Sequence, residues 1–106
     1  MILEHAILDV RPGETAAFEA ALAEALPLIA ASDGFLGLEV RPCVERTGRY
    51  VLLVRWRSLE DHDPGFRKSD RYPPWRTLLH HFYDPFPVVE HYADPVARIG
   101  APTADR

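Results

Sequence analysis

Nearly every side chain able to do chemistry falls between Tyr50 and Tyr92, in the stretch YVLLVRWRSLEDHDPGFRKSDRYPPWRTLLHHFYDPFPVVEHY. His62 stands out among them. An imidazole titrates near neutrality and so suits a proton acceptor. Its spacing from Leu59 and Phe66 places all three on one side of a helix. The plainer reading is a helix-start histidine bonded to Asp61, Asp63 or water. Trp56 and Tyr72 can wall an aromatic ligand, although large rings at a strand end or on a helix more often fill a core. Arg67 and Arg71 can hold an anionic oxygen; solvated surface arginines are the commoner case. Trp75 belongs first to a buried stripe with Leu78, Leu79 and Phe82.

Other groupings carry less. His80 and His81 are adjacent, so on a helix they point about 100° apart and cannot share one ion. No HxxxH or HxH pattern and no cysteine cluster completes a metal site, and none is expected. Cys43, the single cysteine, has no internal disulfide partner and reads as an inert thiol. Glu4-His5 and Glu90-His91 lie on two stretches that read as strands. Alternation sends Glu and His to opposite faces, so one face is expected to gather both histidines and the other both glutamates. That arrangement suits a dimer interface better than a pocket.

The elements that must position these groups follow from periodicity and punctuation. Residues 2–10 are aliphatic and stop at Arg-Pro-Gly, which predicts a strand. Residues 14–31 are rich in alanine, leucine and glutamate, with Phe18, Leu22, Ala25 and Ile29 on one helical face. Pro27 should kink the last turn or end the regular part early. A second strand is expected over 35–42, a hairpin connection over 45–49 with Gly48 free to take positive φ, and a third strand over 50–57. Ser58 reads as an N-cap to a short helix broken at Asp63-Pro64-Gly65. A further helix begins near Pro73-Pro74, and the last strand spans 86–92. One domain over 1–94 and a tail over 95–106 account for the chain.

The order β-α-β-β-α-β is the split pattern of ferredoxin-like α+β folds, a four-stranded antiparallel sheet with both helices on one face. Strand three carries Tyr50, Leu52, Val54 and Trp56 on one face but Val51 and Leu53 on the other; strand one does likewise. A sheet with one wet face should alternate apolar and polar. A homodimer packing sheet against sheet is therefore expected. Composition agrees with a globular domain: 106 residues, 47% hydrophobic, 26% charged, net charge -4. No basic stripe is present, so nucleic acid is not an expected partner. No apolar run reaches the roughly 18–20 residues that span a bilayer. MILEHAILDV lacks the basic start and unbroken apolar core of a signal peptide, so a cytoplasmic, unanchored chain is expected.

This layout, with VLLVRWRSLEDHDPGFRKSDRYPPW and the closing FPVVEHY, resembles the antibiotic biosynthesis monooxygenase family of dimeric α+β barrels over about residues 1–93. The resemblance rests on Trp56, Ser58-Leu59-Glu60, His62, Phe66, Ser69, Tyr72 and Trp75. It implies cofactor-independent oxygenation of a small aromatic, quinol-like substrate with dioxygen and no bound cofactor. A phenol or enol is deprotonated, and its anion passes an electron to dioxygen. On that reading His62 is the base or hydrogen-bond partner. Trp56, Tyr72 and Phe66 surround the substrate, and Arg67 holds the anion. The wider superfamily includes heme-degrading enzymes with an asparagine on the first strand. This chain contains no asparagine, which speaks against heme oxygenation. Two other readings use the same pocket: a small-ligand binding or structural domain without catalysis, and a cofactor-free isomerase or decarboxylase. Fold alone does not choose among them.

Overall fold

Alternating apolar residues and short turns produce eight elements, here described for residues 1–100 in a computed structural model. They are β1 (Ile2–Asp9), α1 (Thr15–Ala30), β2 (Phe35–Pro42), β3 (Arg49–Trp56), a wide π-type turn (Asp61–Phe66), α2 (Tyr72–Leu79), a 3₁₀ turn (His80–Phe82) and β4 (Val89–Tyr92). The strands form one antiparallel sheet in the order β2-β3-β1-β4, the ferredoxin-like α+β arrangement. Part of the expected tail, residues 101–106, lies outside the described residues.

Register decides which side chains face the helices. Glu4, Ala6 and Leu8 of β1 sit opposite Val54, Leu52 and Tyr50 of β3, while Glu4 and Ala6 also sit opposite His91 and Val89 of β4. This face meets Phe18, Ala25 and Ile29 of α1 and Trp75 and Leu79 of α2, all buried. Trp56, Phe18, Phe66 and Ile29 are among the largest fully buried side chains. Each contributes roughly 1.5–3 kcal/mol by leaving water. The opposite face carries Leu3, Ile7, Val51 and Leu53, rimmed by Asp9 and Arg49, whose forked contacts measure 2.8 and 3.1 Å. Neither helix covers it, since both pack on the Trp56 side.

Three local expectations are corrected. The helix α1 runs through Pro27 to Ala30 rather than ending early, leaving the Ala23 carbonyl without its usual amide donor. The segment after Ser58 is not an ordinary helix. Asp63 is extended (φ -139°, ψ 110°), and the chain turns widely around it. Strand β4 begins at Val89, not Phe86, because Pro85 and Pro87 have no N–H to give a ladder. Gly48 takes φ 86° in the β2–β3 connection, a conformation that favours glycine.

Candidate active site

The site starts from a charge in an apolar row. Glu4 follows the inward register of Ala6 and Leu8, so its carboxyl group lies beneath the helices, 5% exposed. Trp56 Nε1–H donates to Glu4 Oε1 at 2.9 Å. His62 Nε2 lies 3.3 Å from the same oxygen. The wide turn delivers His62 to this position. Ser58 Oγ accepts the Asp61 amide at 3.2 Å, and Arg57 grips the Asp61 carboxylate at 2.9 and 3.0 Å, anchoring the start of the turn. The extended Asp63 then lets both His62 and Phe66 point inward. The His62 ring stacks on Trp56, with centroids 5.2 Å apart and planes inclined by 20°. Its Nδ1 is 2.7 Å from Nε2 of His91 on β4. The result is a row: carboxylate, imidazole, imidazole.

Burial governs the proton balance of this row. It raises the Glu4 carboxyl above its ordinary range, although the Trp56 bond and the nearby Arg67 charge pull the other way. Burial pushes His62 down to about 3, helped by Arg67 and His91. His91 is lowered too, by burial and then by Arg67. Both imidazoles are therefore neutral near pH 7, and one ring must donate across the 2.7 Å contact while the other accepts.

A cavity of about 50 Å³ lies above Glu4 and His62, walled by Tyr72, Trp75 and Tyr83 and touched by Arg67. That space suits one or a few molecules the size of water or dioxygen, whereas drug-sized ligands need roughly 300 Å³ or more. Arg67 and Tyr72 also line a surface cleft of about 570 Å³. Only these two side chains are common to both hollows. Arg67 is tied to Asp63 at 3.2 Å by a partly exposed ion pair, a contact too weak to fix it firmly. A ligand the size of an aromatic ring therefore needs the lining side chains, Arg67 and Tyr72 among them, to move before it reaches Glu4. Among the described residues, no group of three or more His, Cys, Asp or Glu is placed to hold a metal ion.

The candidates read from the sequence are distributed unevenly. His62, Arg67 and Tyr72 line the cavity. Trp56 lies beneath His62, wholly buried, and Phe66 is wedged among Trp56, Tyr72 and Trp75; neither reaches the cavity surface. Arg71 turns towards Ser32, with Nη2 3.4 Å from its hydroxyl. His80 packs against Tyr72, Tyr83 and Phe86, and His81 is exposed. The expected gathering of two histidines on one sheet face is wrong. Antiparallel register sets Glu4 against His91 and His5 against Glu90, so each face holds one of each. Tyr83 is the site residue that sequence reasoning missed, and Glu4 and His91 were weighed for a pocket but given to an interface instead. The signal for Glu4 was present: it shares the parity of Ala6 and Leu8.

A ferredoxin-like sheet with a cavity under its helices defines a class, and the comparisons agree. The family model for antibiotic biosynthesis monooxygenase matches residues 1–76, and the chain belongs to that family. The uncharacterized protein YczJ of Bacillus subtilis (strain 168) is 45% identical over 94 residues, covering 89% of this chain and 99% of that protein. A Bordetella bronchiseptica structure placed with the antibiotic biosynthesis monooxygenases has 34% identity and a TM-score of 0.84, covering 90% of this chain and 97% of that one. SnoaB, a cofactor-independent oxygenase from Streptomyces nogalater, shares the fold at 17% identity, with a TM-score of 0.77 over 95% of this chain and 96% of its own for a variant. No helix among the described residues is long and apolar enough to cross a membrane.

Proposed function

We propose that this protein is a cofactor-independent monooxygenase acting, as a cytoplasmic homodimer, on a small aromatic or quinol-like compound. The observation that carries the reading is the buried row Glu4–His62–His91 under an aromatic-walled cavity. A phenol or enol entering past Arg67 and Tyr72 gives up its proton to this row. The anion, electron-rich and facing the Arg67 cation, passes one electron to dioxygen. The two radicals then combine at carbon, and loss of water from the hydroperoxide leaves a carbonyl. One oxygen atom enters the product and the other leaves as water. His62, neutral at pH 7, serves as the hydrogen-bond partner at the centre of the row, and Trp56 and Phe66 hold it from behind. SnoaB, whose fold this chain shares, is a cofactor-independent oxygenase, which favours the oxygenase among reactions open to such a pocket.

Dissolved-oxygen uptake with a panel of anthrones and quinols tests the reading. Uptake is expected, and His62→Ala should slow it by about tenfold or more. Zero uptake across the panel, with ligands still raising Tm, would make the protein a binding module. Turnover that persists without oxygen would make it an isomerase or decarboxylase.

A further inference from the structure

The contacts that reach Glu4 converge on one oxygen. Trp56 Nε1–H donates to Oε1 at 2.9 Å, and His62 Nε2 lies 3.3 Å from the same atom. Among the described residues no donor engages Oε2, although the side chain is 6% exposed and borders the cavity. Oε2 is not sealed away, since it keeps surface accessible to a small molecule in the hollow. An acceptor left open towards a hollow fits a ligand that brings its own proton.

We infer that Glu4 is the proton acceptor of this cavity, that its ligand presents an acidic hydroxyl of the phenol or enol class, and that His62 and His91 lead the proton out. This deepens the reading above and rests on its phenolic substrate. In the transfer the ligand's O–H bond breaks and an O–H bond forms at Oε2. The electron pair stays on the ligand oxygen, opposite Arg67. A half-turn of the carboxyl group then presents the proton to Nε2 of His62. In the tautomer that carries its proton on Nδ1, His62 accepts at Nε2 and passes the Nδ1 proton across the 2.7 Å contact to the free Nε2 of His91, which is half-buried and releases its own proton from Nδ1 to solvent. The titratable and charged groups turned towards Glu4 are His62 and Arg67 from the turn, His91 from β4, and Tyr72 and Tyr83 across the cavity. Burial lifts the Glu4 carboxyl towards the range of an acidic phenol, which narrows the proton's uphill step. His62, by contrast, is too weak a base to keep a proton there.

The probe is 4-nitrophenol, an acidic phenol with a coloured anion, used with oxygen excluded so that nothing is consumed. At about one unit below the dye's own pKa, the wild-type protein should bind it as the anion. Infrared difference spectra of that complex should show a new protonated-carboxyl band. Glu4→Gln, which keeps an acceptor for Trp56, should bind the dye uncharged, with the anion signal reduced about tenfold or more. An undiminished anion signal in Glu4→Gln, or no carboxyl band in the wild type, overturns the assignment to Glu4 and leaves the phenol site standing. The infrared arm needs only the unmodified protein, so it decides the matter even where the variant folds poorly. A dye that binds neither protein overturns this inference and the aromatic-substrate reading together.

Discussion

At residue scale, the chain keeps a carboxylate where Ala6 and Leu8 show that a hydrocarbon would fit. Trp56 is the reason it is tolerated. Its indole N–H offsets part of the desolvation at Oε1. Trp56→Phe keeps the ring but removes that donor, so a loss of about 1–3 kcal/mol is expected from urea unfolding. A loss within experimental error would mean that the bond is not needed to hold Glu4. His62 gives a pH signature. Its folded value, about 3, lies below its ordinary 6.5, so its contribution is present above 6.5 and is lost as pH falls through that value towards 3. Near pH 5 the unfolded chain gains roughly 2 kcal/mol relative to pH 7 from this one proton. Glu4 has the opposite sign, because a raised carboxyl loses stability as pH rises through its folded value. Denaturant midpoints measured from about pH 7 to pH 5 should therefore fall more steeply in the wild type than in His62→Gln, because Glu4 is present in both proteins. Parallel curves would show that His62 titrates normally.

At element scale, the wide turn matters most, since it alone carries His62, Phe66 and the start of Arg67's reach into the cavity. Gly65 is the residue that lets it close. A Cβ added there would meet the Glu60 carbonyl oxygen at 2.9 Å, a backbone atom that cannot swing aside. Gly65→Ala should cost about 1–3 kcal/mol. It should also move the imidazole NMR signals of His62 and His91 away from their wild-type positions, as their contact loosens; unchanged signals would refute the coupling. This turn also marks the limit of what the sequence could disclose. Asp63-Pro64-Gly65 announces a break but not the shape of the detour, because an extended Asp63 depends on the Asp61–Arg57 and Ser58 contacts around it. Strands β1 and β3 were legible because alternation is a local property, and the Phe18–Ala25–Ile29 stripe because helical period is one too. The partnership of Glu4 with His91 was not. It depends on which residues of two distant strands stand opposite each other, and the proline-shortened start of β4 offers no local cue to that register.

At the scale of the whole molecule, the sheet presents two faces of different standing. One is sealed by α1 and α2. The other carries Ile7, exposed, with the half-buried Leu3, Val51 and Leu53 in its middle and Asp9–Arg49 at its rim. Beside it, Phe86 and Val88 stand 62% and 77% exposed along a hollow of about 340 Å³ that also touches His5 and Glu90. His5 Nδ1, buried on this side, has no hydrogen-bond partner among the described residues. A second copy laid sheet to sheet would cover the apolar middle, receive Phe86 and Val88 in its own hollow, and bring polar groups within reach of that nitrogen. With β4 half the length of its neighbours, the face of the four strands measures roughly 450 Å², and the flanking residues extend it towards the roughly 800 Å² per partner typical of stable interfaces. Light scattering at micromolar concentration should therefore give twice the chain mass. Ile7→Asp places a charge at the centre of the covered patch, where burying it unpaired costs several kcal/mol, so the variant should sediment as a monomer with a lower Tm. Because Ile7 points away from the cavity, the variant's dye binding separates assembly from the site. Retained binding would make each protomer's pocket self-sufficient, and lost binding would tie β1's inner residues, Glu4 first, to the support of the second copy. A wild-type monomer under the same conditions would remove the reason for Leu3, Ile7, Val51 and Leu53 to be apolar, and the sheet-to-sheet assembly with it.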